Sequence, residues 1–261
     1  MRQMHFIISL TLLCWTFLCC SLSAREIGFE TTEGYNSGSL DGQPSSGTQW
    51  IQLQGTDAAL KVNSSAGDVT SDYGIQNSTR TNNTPCVYQY LTSYSNDDLG
   101  GRFLSDSSEL SYHLRFCLNS TSELDSNELF TMILGQNSTD KIALRLVVRR
   151  NGTFEFYHSN TSTAVNVKDK LGNNFSFAED NSGRYINIKG TINYATNEFT
   201  LVADNVVQIS SDGSSCFPFV SSLVDQTYPQ IILQDNNAIS SPLVYKLDDL
   251  YLNHISTRFV V

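Results

Sequence analysis

Apolar and polar residues alternate along most of this chain in short runs. "WIQLQ" begins at Trp50, "CVYQYLT" at Cys86, "ELSYHLRFCL" at Glu109, "LFTMILG" at Leu129 and "KIALRLVV" at Lys141. The pattern continues with "TFEFYH" at Thr153, "RYINIKGTI" at Arg184, "EFTLVA" at Glu198, "PQIILQ" at Pro229 and "VYKLDDLYLN" at Val244. A period of two puts successive side chains on opposite faces, which predicts half-buried strands, and many short strands at even spacing predict a sandwich or barrel. Helical periodicity is nearly absent beyond the first two dozen residues. Two hairpins follow from turn chemistry. Asn151-Gly152 lies between two alternating runs and predicts a type I′ turn. A second hairpin is expected across Ala195 to Glu198. The Ser- and Asn-rich stretch from Asn63 to Pro85 reads as a surface excursion.

The beginning of the chain departs from this pattern. Arg2, an apolar run from Phe6 to Cys20 and the small residues of "SLSA" form the pattern of a secretory signal peptide. Cleavage is expected after Ser23 or Ala24. Residues 1–24 are then a leader and residues 25–261 one β-sandwich domain, a routine size for an all-β domain. The expected location is secreted, periplasmic or extracellular, with no membrane span in the mature chain. The net charge of −10 would repel phosphate backbones, so nucleic acid is not an expected partner. Of six cysteines, Cys86, Cys117 and Cys216 lie beyond the leader. Cys86 and Cys117 both fall in expected strands, so a disulfide between them is one reading and three buried thiols the other. Eight Asn-x-Ser/Thr sequons, at Asn63, Asn77, Asn82, Asn119, Asn137, Asn151, Asn160 and Asn174, are read as marking exposed turns.

The opening "IGFETTEGYNSGSLDGQ" (Ile27 to Gln43) with Trp50 shortly after, the closing "YKLDDLYLN" (Tyr245 to Asn253) and the central "INIKGTINYATNEFTLVADN" carry a resemblance. Together they resemble the concanavalin A-like, laminin G-like jelly-roll domains of secreted bacterial proteins. The resemblance implies two antiparallel sheets, with the first and last strands side by side, and structural calcium near their ends, which points to Glu30 and Asp248. A parity argument bears on the same carboxylate. Asp248 shares strand parity with Leu250 and Leu252, so a core-facing register would bury it, and a buried carboxylate needs a cation or several donors.

Candidate chemistry is sparse. "ELDSNE" is similar to the E-x-D-x-x-E signature of laminarinase-type β-glucanases, which implies Glu123 as nucleophile, Asp125 as its partner and Glu128 as acid/base. Retaining glycosidases need two carboxyls about 5–5.5 Å apart. Here Ser126, Asn127 and the preceding "NSTS" give the segment a loop composition. His113 and Arg115 share a strand face, as a polysaccharide lyase would require, but no matching Tyr/Lys strand is evident. For sugar binding, aromatic rings and nearby polar groups are the usual tools, and the candidates are Trp50, Tyr88, Tyr90 and Tyr112. The expected function is therefore a lectin-like sandwich that binds carbohydrate or a glycosylated partner. A glycan-cleaving enzyme on the same scaffold and a non-catalytic adhesion or envelope protein are the alternatives.

Overall fold

The computed structural model describes residues 23–45, 49–55, 58–67, 73–81, 84–91, 109–118, 126–136, 142–159, 164–177, 184–221, 229–236 and 245–255. Within them the alternating runs form two antiparallel sheets. The main path of the first sheet runs β15 (Val206–Val207), β14 (Val202–Ala203), β12 (Ile186–Asn193), β7 (Glu109–Leu118), β18 (Tyr245–Ile255), β5 (Gly74–Asn77), β4 (Leu60–Asn63) and β2 (Gly38–Ser39). β1 (Ser23–Ile27) joins β18, β13 (Glu198–Phe199) joins β12, and β16 (Phe217–Pro218) joins β13, making eleven strands. The second sheet has seven, in the order β11 (Val165–Asn166), β10 (Phe154–Tyr157), β9 (Ile142–Arg149), β8 (Glu128–Gln136), β17 (Pro229–Asp235), β6 (Cys86–Leu91) and β3 (Trp50–Gln54). The described residues contain no α-helix; a 3-10 turn at Thr31–Glu33 is their helical element. None of their helices is long and apolar enough to cross a membrane.

The strand rhythm sets the core. Leu114 and Phe116 of β7, Ile186 and Ile188 of β12, and Leu247 of β18 pack from one sheet. Met132 and Leu134 of β8, Leu144 and Leu146 of β9, and Leu233 of β17 meet them from the other. Phe116 stacks on Tyr245 at 5.8 Å between ring centres and sits 5.2 Å from Phe130, which ties the two sheets. Buried aromatics of this size remove about 150–250 Å² each from water, the largest single contributions to such a core.

The first and last strands are neighbours, as the resemblance implied: Ile27 pairs with Leu250 and Ser23 with His254. Other expectations need correcting. The hairpin at Asn151-Gly152 is not of type I′. Only Gly152 takes a positive φ, 84°, and its N–H donates to the Arg149 carbonyl at 2.9 Å. This is a type I turn closed by a left-handed glycine, with the Asn151 side chain accepting from the Thr153 N–H instead of Asn151 adopting positive φ. "EFTLVA" breaks at Thr200 into β13 and β14. The stretch read as a surface excursion contains β5, whose four residues are all buried. There Asn77 accepts from the Tyr245 N–H at 2.9 Å. Asn77 therefore does not mark an exposed turn, whereas Asn174 is exposed.

Candidate functional site

The face of the eleven-stranded sheet turned away from the core carries a polar groove. β7 and β12 pair with Lys189 opposite His113, Asn187 opposite Arg115 and Thr191 opposite Ser111. Odd-numbered residues of both strands thus share the outer face, while Leu114, Phe116, Ile186 and Ile188 fill the inner one. Ser111, His113, Asn187, Lys189 and Thr191 form the floor of an open cavity of about 680 Å³, within the range of small-molecule sites. Thr200, Val202 and Asn205 line it further. Asn205 belongs to a two-residue hairpin between β14 and β15, where Asp204 and Asn205 both take positive φ, at 50° and 69°.

Several contacts fix this floor. His113 Nε2 lies 3.0 Å from Asn187 Oδ1. The Thr191 and Thr200 hydroxyls are 3.0 Å apart, and the Thr200 hydroxyl accepts from the Thr191 N–H at 2.9 Å. Below the floor, the Tyr112 hydroxyl donates to the Thr200 carbonyl at 2.7 Å, and burial pushes its pKa well above the ordinary tyrosine value. Gly190 leaves room for that contact. A Cβ there would overlap the Thr200 carbonyl and come within 2.6 Å of the Tyr112 hydroxyl.

The expected aromatic platform is not on the surface. Trp50, Tyr88, Tyr90 and Tyr112 are all buried, at 2% exposure or less. Trp50 and Tyr90 pack 5.2 Å apart, and Trp50 Nε1–H donates to the Tyr35 hydroxyl at 3.1 Å. The Tyr88 hydroxyl accepts from the Ala59 and Leu60 N–H groups. Burial raises its pKa to about 12. β3 and β6 thus turn their aromatics inward, while Ile51 and Leu53 of β3 are exposed.

Cys86 and Cys117 stand as thiols and do not bridge. Cys86 belongs to the core of the seven-stranded sheet. Cys117 shares parity with His113 and Arg115 on the outer face of the other sheet, so their side chains leave in different directions. Burial raises the Cys117 thiol to about 11.

Asp248 is fully buried, but not toward the core. An extra residue bulges β18 between Asp248 and Tyr251, with Asp249 at φ 49°. The bulge changes parity, so Leu247 and Leu250 face the core, while Asp248 pairs opposite Arg115 on the outer face. Asp248 accepts from the Asp249 N–H at 2.9 Å, and Arg115 pairs with Asp249 at 3.2 Å. Glu30 accepts from the Tyr73 N–H at 3.2 Å. Both carboxylates thus take donors from the protein. Among the described residues no group of three or more His, Cys, Asp or Glu converges on a metal position.

Glu123 and Asp125 lie outside the described residues. Glu128 opens β8 and is held by Arg145, whose Nη2 is 2.8 Å from each carboxylate oxygen. Arg145 in turn covers the Tyr157 ring at 4.6 Å.

One pairing was missed from sequence. The strand matching His113 and Arg115 is "YINIKG", which puts Tyr185, Asn187 and Lys189 on the same face. Tyr185 reaches over that face to donate to the Ala66 carbonyl. Its signal was the alternation of Tyr185, Asn187 and Lys189 into and along β12, but nothing local says that β12 pairs with β7.

No protein-family model and no curated protein matches the chain. Among solved structures, it is similar to carbohydrate esterase vb_24B_21 from Shiga toxin-encoding bacteriophage phi24B. The TM-score is 0.52 at 12% identity, over 85% of this chain and 100% of that one. Lectin I-B4 from Griffonia simplicifolia gives 0.41 at 11% identity, over 80% and 99%. A sialidase gives 0.47 at 9% identity over 83% of this chain, which spans 18% of the sialidase's length. The chain is a β-sandwich of two antiparallel sheets. At 12% identity the likeness to the esterase establishes fold alone.

Proposed function

We propose that the protein is a secreted, lectin-like β-sandwich of the concanavalin A-like type, which binds carbohydrate or a glycosylated partner in the groove over β7 and β12. The observation that carries this reading is the groove floor. Hydroxyls from Ser111 and Thr191, the Asn187 amide and the His113 imidazole line a cavity of about 680 Å³, the kind of polar set that reads sugar hydroxyls. The neighbouring Val202 side chain gives an apolar contact for a pyranose face. A glycan array with the mature chain, run with calcium and with chelator, tests the reading. Binding is expected for the native chain and should fall at least tenfold in Asn187→Ala. An array without binding favours an adhesion or envelope role.

A second reading has its own observation. His113, Lys189, Arg115 and Tyr185 come from paired strands and share one face, the set that was not evident from sequence. Glycan cleavage on the same scaffold would use them. Incubation with polysaccharides, followed by assays for new reducing ends and unsaturated products, separates an enzyme from a lectin.

A further inference from the structure

We propose that the groove selects sugars bearing a carboxylate, such as uronic acids, through Lys189; this rests on the carbohydrate reading above and names its substrate class. The chain carries a net charge of −10, yet none of the residues lining the groove is Asp or Glu. In an acidic molecule such a surface is where an anion meets least repulsion.

Lys189 is exposed on the groove floor. Neighbouring guanidinium groups are engaged by acids: Arg115 by Asp249 at 3.2 Å and Arg184 by Asp204 at 2.9 Å. No ion-pair partner of Lys189 occurs among the described residues. Its ammonium offers three donors and a full charge to a ligand.

His113, directly opposite Lys189 in the ladder, complements it. The Asn187 amide oxygen only accepts, so His113 Nε2 donates in their 3.0 Å contact, and Nδ1 is left to meet a ligand. A sugar unit seated across the pair would place its acid on Lys189 and a hydroxyl at His113. The ligand is a sugar with a localised carboxylate rather than a densely sulfated polymer, because the net negative charge of the protein opposes an extended polyanion.

Calorimetry with matched oligosaccharides tests this. The pairs are galacturonate, mannuronate and hyaluronan-derived tetrasaccharides and their carboxyl-reduced counterparts. At least one acidic member is expected to bind about tenfold or more tightly than its reduced form at low ionic strength, with the preference shrinking as salt screens the contact. Lys189→Gln should bring the two forms to parity, while Lys189→Arg keeps the preference; Lys189 is exposed, so both variants should keep the native melting temperature. Equal binding of acidic and reduced forms, unchanged by Lys189→Gln, overturns the acidic selection and leaves carbohydrate binding standing. Binding of neither form, with a blank array, overturns both.

Discussion

At Asp235 the competition between burial and pairing can be followed on one side chain. Its carboxylate lies 3.0 Å from Arg80 Nη1 with both side chains fully buried, and it accepts from the Tyr245 hydroxyl at 2.7 Å. Desolvation outweighs these partners and raises its pKa to about 7. An unfolded chain would hold it near 4, about the ordinary value. Between those values the folded state binds the proton more tightly. The stabilisation is thus fully present below about pH 4 and lost as pH rises toward 7. Urea denaturation of wild type and Asp235→Asn should show the wild-type advantage shrinking over this window, by up to about 1.4 kcal/mol per pH unit; an advantage that grows with pH would contradict it. Gly190 offers a packing test. Gly190→Ala forces apart Thr200 and Tyr112 and should cost about 1–3 kcal/mol in denaturant, with groove binding lost as well. For the thiols, alkylation of the native chain should modify half-exposed Cys216 well before buried Cys86 and Cys117, as mass spectrometry of the tryptic peptides would show.

At the scale of elements, alternation marked strands well because a half-buried strand must alternate. All ten alternating runs contain strand, from Trp50–Gln54 to Tyr245–Ile255, with only "EFTLVA" interrupted. What alternation does not carry is which of the two faces meets the other sheet. Trp50, Tyr88 and Tyr90, expected as a sugar platform, lie in the core. At Asp248 the parity itself was unreadable, since one bulged residue with positive φ inverts every position after it. β5 was hidden because its buried Gln76 and Asn77 look like loop residues until their backbone partners are known. The edge strand β3 shows a local device: Asp41 accepts from the Gln52 N–H at 2.7 Å, which occupies a donor that an incoming strand would use. Turn chemistry gives an element-level prediction. Gly152→Ala must hold φ near 84° with a Cβ, and should cost about 1–2 kcal/mol, measurable as a lower urea midpoint with unchanged slope.

In the whole molecule, the groove exists because strands far apart in sequence lie side by side. His113 and Lys189 are separated by most of the seven-stranded sheet along the chain, yet are direct partners in the ladder. That long-range pairing is why the site could not be assembled from any local motif. The first and last strands pair within the same sheet as β7 and β12. The most direct test is a solution NMR titration of residues 25–261 with an oligosaccharide that binds the chain on the array. The account predicts saturable shifts in the His113 imidazole and Lys189 ammonium signals, with the Trp50 indole and His158 signals unmoved. Shifts centred on Trp50 or His158 with His113 and Lys189 silent would contradict it.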